Sequence, residues 1–107
     1  MNIKDQQMIF NQFTELMENT LIKKGNDYAN EDRLSNFKLA GSVCGLSAEQ
    51  NCLSLIATKV ARLGVLLKSK NPNNESIEDS VLDMACYATL LFMLLKDSHE
   101  PTTRERL

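Results

Sequence analysis

SIEDSVLDMACYATLLFMLLKD, residues 76–97, reads as one helix and decides how the rest of the chain is read. Ser76 can cap the free amides of a first turn. Asp79, three residues on, can answer toward the cap with its charge at the positive end of the helix dipole. Winding the stretch at 3.6 residues per turn puts Ile77, Val81, Met84, Ala88, Leu91 and Leu95 on one face, the face predicted to enter a core. An adjoining stripe carries Asp79, Asp83, Tyr87, Leu90 and Leu94, so two carboxylates and a phenol share a line with two leucines. The greasy end of that stripe is expected at a subunit interface.

Working outward, the preceding helix starts at Ser47, where Ser47 and Gln50 fit the capping-box pattern and Glu49 lies in the first turn. It should run to about Ser69, with Leu53, Ile56, Val60, Leu63 and Leu67 as its core stripe and Lys59 and Arg62 on its flank. KNPNNES then breaks it. A short helix is predicted over residues 35–44, ending at Gly45 and weakened by Gly41. The first helix is predicted from about Ile3 to Lys24, with Ile9, Phe13, Leu16 and Met17 at helical spacing and Gly25 as its stop. NDYANEDRLSNF, residues 26–37, reads as an ordered polar loop, either a plain connection or a segment folded over a site. Residues 98–107, with Pro101, read as a mobile tail outside a single domain spanning 1–97. The expectation is an all-α bundle of three long helices and one short one, assembled as a homo-oligomer because 107 residues gain from a partner subunit.

Composition removes several classes of function. Twelve basic and 14 acidic residues, interspersed to a net charge of -2, leave no broad basic field for DNA. The longest near-apolar run, Met84 to Leu95, is well short of the roughly 20 residues that span a bilayer. The chain opens on no signal-peptide pattern, and the three cysteines, Cys44, Cys52 and Cys86, are odd in number and lack metal-ligand spacing. A cytoplasmic protein with reduced thiols is the expectation. The only histidine, His99, falls in the tail, so nucleophilic catalysis has no credible base, and the four glycines are too scattered for a phosphate loop.

The chemistry worth weighing lies between the two last helices. A short connection predicts antiparallel neighbours, so the flank bearing Lys59 and Arg62 could face the one bearing Asp79 and Asp83. One reading is ordinary salt bridges. The other is a phosphate site, with Lys59 as a compact charge, Arg62 as a planar fork of donors, and Asp79 with Asp83 holding Mg²⁺ between protein and phosphates.

KKGNDYA at 23–29, Asn36-Phe37, IATKVARL around Lys59 and Arg62, and EDSVLDMACYA at 78–88 together resemble the phage-encoded nucleotide-modification-associated domain of the first type. The resemblance covers roughly residues 20–95. It implies an all-helical, phage-borne domain associated with unusual nucleotides, working in the cytoplasm of an infected bacterium. A more distant likeness is to the all-α, MazG-like nucleoside triphosphate pyrophosphohydrolases, whose metal helix is matched here by Asp83 and Tyr87. Their glutamate three residues earlier is Ser80 in this chain, and Lys59 and Arg62 stand where they place a glutamate cluster.

The acidic deficit tilts the expectation from hydrolysis to binding. The candidate nucleotide-binding residues are Lys59, Arg62, Asn26, Asp27, Tyr28, Asn36 and Tyr87. Sequestration of a cyclic-nucleotide immune signal of the host is one use for such a protein. The alternative is a Mg²⁺-dependent hydrolase in which Glu49 or Glu78 completes the metal sphere or acts as base. A third reading is a structural or protein-binding helical module.

Overall fold

The computed structural model describes residues 1–24, 34–71 and 73–106, the stretch 98–106 as backbone alone. All regular structure among the described residues is helical: α1 (Ile3–Glu18), continued by a π-helical turn (Asn19–Lys24), α2 (Ser35–Cys44), α3 (Ala48–Lys68) and α4 (Asn74–Arg106). The protein is all-α, as its periodicity requires. No described helix is long and apolar enough to cross a membrane.

Local chemistry explains most of the helix ends. At α3, Gln50 N–H donates to Ser47 Oγ at 3.0 Å and Ser47 N–H donates to Gln50 Oε1 at 2.9 Å, a reciprocal capping box. Gly45 closes α2 at φ 72°, in the left-handed region where a Cβ is costly. Asn2 caps α1 by accepting from the Asp5 amide at 2.8 Å.

Two boundaries differ from the sequence expectation. The long last helix starts at Asn74, because Asn73 outcompetes Ser76 as the cap: the Ser76 amide donates to Asn73 Oδ1 at 3.1 Å, which places Ser76 inside the first turn. Asparagine and serine are nearly equal caps, so the earlier candidate wins and adds helical hydrogen bonds. At its other end α4 continues beyond Asp97 to Arg106.

α3 and α4 form the principal packed pair, with α2 packed against α3 and α1 against α4. Cys52 Sγ meets the Tyr87 carbonyl and Lys59 meets Asp83, so residue numbers rise on one helix as they fall on the other and the pair is antiparallel. The core is small. Leu94 is 1 % exposed and Cys52 0 %, joined by Leu34 and packed round by Phe37, Ala48, Ile56, Tyr87, Leu90 and Leu91. Burying a leucine of this kind contributes about 1.5–3 kcal/mol.

This core corrects the assignment of faces. On α4 the predicted core stripe is only half used, since Val81, Ala88 and Leu95 are exposed. The acidic stripe turns inward instead: its end, Tyr87, Leu90 and Leu94, packs into the chain's own core rather than between subunits. On α3, Leu63 is buried as expected, but Leu53, Val60 and Leu67 are exposed. α1 contains no buried residue. The reason is that α4 is apolar over more than half its circumference, so periodicity names two adjacent faces and packing against α3 selects one.

Candidate functional site on the α3–α4 hairpin

Lys59 Nζ lies 3.0 Å from Asp83 Oδ2, joining the middles of α3 and α4. The sequence placed these two flanks opposite each other, and at this pair they meet. Both side chains retain solvent contact, so the bridge is a surface one, contributing about 0–1 kcal/mol. Its interest is placement.

The register fixed by the Lys59–Asp83 and Cys52–Tyr87 contacts sets Arg62 level with Ser80 and Asp79, one turn further along. Arg62 and Asp79 are both exposed, and neither forms an ion pair with another described residue. A turn the other way, Tyr87 stacks edge-on against Phe37 of α2, ring centroids 6.4 Å apart and planes at 86°. This favourable T-shaped pair leaves an aromatic step beside the ion pair. Phe37 as the ring's partner was not legible beforehand, because α2 and α4 are fifty residues apart in the chain.

The remaining candidates are dispersed. Asn36 is exposed beside Phe37 on α2. Glu49 sits in the first turn of α3, ten residues and about 15 Å of helix from Lys59. Glu78 is exposed, about 100° round α4 from Asp79. Asn26, Asp27 and Tyr28 lie outside the described residues. The open concavity along α1, lined by Lys4, Gln7, Met8, Asn11, Gln12 and Glu15, holds none of the predicted residues.

Mg²⁺ can be judged from the donors. Asp83 is engaged by Lys59, Asp79 stands a turn away, and no group of three His, Cys, Asp or Glu among the described residues could hold a metal. Those donors are two carboxylates about one turn of helix apart. They suit a cation that arrives with phosphates, since Mg²⁺ is commonly held by one or two carboxylates plus substrate oxygens.

Burial raises the pKa of both Cys52 and Cys86, with the Asp83 charge adding to the effect at Cys86. Each thiol therefore holds its proton to a higher pH folded than unfolded. That contribution to stability is fully present below the unfolded thiol value of about 8.5 and is lost as pH rises through the folded values. The denaturation midpoint should fall between pH 8 and pH 9.5, and alkylation of the native protein should mark exposed Cys44 well before the other two. Mass spectrometry of timed alkylation checks this; equal labelling of all three thiols would contradict the buried placement.

Fold and ion pair define a small all-α protein whose helical hairpin carries a cation–carboxylate pair beside an aromatic step. Comparison of the chain with protein-family profiles, curated proteins and solved structures found no match.

Proposed function

We propose that the chain binds a small phosphorylated nucleotide on the Lys59 and Arg62 side of the α3–α4 hairpin. The observation that carries this reading is the neighbourhood of Lys59: a cation held by Asp83, a second and unpaired cation one turn away, and the Tyr87–Phe37 rings one turn in the other direction. Ammonium and guanidinium groups bind phosphate oxygens, and an aromatic step suits a base or sugar. Asp83 holds Lys59 in place until an anion competes for it. A cation arriving with the ligand would engage Asp83 and release Lys59 to the phosphates, so Mg²⁺ should tighten binding rather than be required for it. Sequestration of a nucleotide signal, cyclic or linear, is the use this reading favours, because holding phosphates asks for fewer carboxylates than activating water between two metals.

Thermal-shift measurements against ribonucleotides, deoxynucleotides and cyclic di- and trinucleotides, with and without Mg²⁺, test it. A true ligand at a hundredfold excess over its Kd should stabilise the protein by about 2.7 kcal/mol and be recovered intact. Lys59→Ala and Arg62→Ala should each abolish that shift while leaving the helical spectrum unchanged. If no nucleotide raises the melting temperature, the proposal fails. Ligand recovered as cleaved product, with cleavage lost in Asp83→Asn, would establish the hydrolase instead.

A further inference from the structure

The residues that periodicity marks for burial and the residues that one chain buries are different sets, and the difference is ordered. Leu53, Ile56, Val60, Leu63 and Leu67 recur on α3 at alternating spacings of three and four. Ile77, Val81, Met84, Ala88, Leu91 and Leu95 do the same on α4. Alternation of this kind is the pattern of a helix–helix seam. Yet Val60 is 53 % exposed, Leu67 68 % and Leu95 47 %, and Leu53, Val81 and Phe92 also stand in solvent.

The two exposed stripes lie on the same side of the hairpin. On α3, Leu53 and Val60 each sit about 100° round from Cys52 and Lys59, which meet α4. α4 runs antiparallel, so advancing round it in the same helical sense from Asp83 and Tyr87 toward Val81, Ala88 and Leu95 leads to that same side. Lys59's flank with Arg62 and Asp79 is on the opposite side. One face of the hairpin is therefore apolar and open, and the other carries the ion pair.

The area agrees. A compact monomer of 12.1 kDa exposes about 6,000 Å², whereas this chain exposes 8200 Å². Its radius of gyration is 16.4 Å, against about 13 Å for a compact domain of this length. The surplus of about 2,000 Å² per chain is shared between the unburied α1 and the open face of the hairpin, and it leaves room for the roughly 800 Å² that each partner contributes to a standard interface. Gly64 adds a local detail: it lies inside α3 beside the open stripe, and a Cβ there would meet nothing within 4 Å. A glycine inside a helix costs about 0.5–1 kcal/mol relative to alanine, and no contact among the described residues calls for one at this position.

We infer that this face is closed by a second copy of the chain, the two α3–α4 hairpins packing across a two-fold axis as an antiparallel four-helix bundle. A second copy fits because each hairpin offers two seams of the same repeat and similar aliphatic residues, the self-complementarity that a two-fold interface needs. Gly64 then marks where the partner's helix comes close. The two Lys59–Asp83 pairs face outward from this bundle and are left accessible.

Sedimentation equilibrium of the full chain, over a range of concentrations, is the test. Wild type should have about twice the 12.1 kDa chain mass or a multiple of that, with a melting temperature that rises with concentration. Gly64→Leu fills open space in the single chain and so should leave it helical, but it should lower the assembled mass to 12.1 kDa. Val60→Lys should do the same. A wild-type particle of 12.1 kDa at every concentration overturns the inference. So does a larger particle whose mass neither variant changes, which would place the interface elsewhere. So does a monomer that floats with phosphatidylcholine–phosphatidylglycerol vesicles, which would give the face to lipid. None of these readouts depends on a nucleotide, so this inference and the binding proposal stand or fall separately.

Discussion

Leu94→Ala should destabilise the protein by about 2–5 kcal/mol, a large part of the stability of a domain this small. Leu94 is 1 % exposed and sits where α2, α3 and α4 converge, packed with Leu34, Cys52 and the partly buried Phe37, Tyr87 and Leu90. Two terms add: the transfer energy of the lost carbons, and the cavity they leave among rigid neighbours. With so few fully buried apolar residues described, little else could collapse into the gap. Urea denaturation at one fixed protein concentration measures the effect, the fixed concentration removing any contribution from assembly. A loss below about 1 kcal/mol would mean that the site relaxes freely and that this cluster is not the centre of the fold.

Gly41→Ala comes second and has the opposite sign to the one helix propensity assigns. Alanine inside a helix is normally better than glycine by about 0.5–1 kcal/mol. Here an added Cβ would lie 2.8 Å from the Leu46 carbonyl oxygen and 2.9 Å from that of Ser47. Both are backbone atoms in the tight corner between α2 and α3, where the Leu46 amide donates to the Gly41 carbonyl at 2.7 Å. Neither can rotate away as a side chain would. A cost of about 1–3 kcal/mol is expected, with the corner forced open and the α3 capping box strained. The same denaturation experiment decides it, and a stabilised variant would show that the two helices do not approach so closely.

Gly41 also illustrates where a one-dimensional reading ends. From the sequence it counts as a weak point in a short helix; in the fold it permits a close approach of α2 to the start of α3. Lys59 and Asp83 were legible as partners because an antiparallel hairpin follows from a short connection and the flanks follow from helical spacing. The ring pair beside them was not, since Phe37 and Tyr87 lie fifty residues apart in the chain and meet only in the folded structure. Arg62 and Asp79 have the right level for a second bridge but form none, because two exposed side chains gain little by giving up their freedom.

What the sequence by itself determined are the features settled within a few residues of chain. These are the all-helical class from the 3.6 period, the α3 start from the Ser47–Gln50 box, and the α2 stop at Gly45. Caps and turns are made by neighbours in the chain, so their chemistry is already present in the order of residues. The tertiary structure decided which of two apolar faces of α4 is buried and why position 41 must lack a side chain. The first depends on groups tens of residues apart, the second on how closely the Leu46 and Ser47 carbonyls pass at the α2–α3 corner. Packing, which optimises all such contacts together, is the only step at which their free energies are compared.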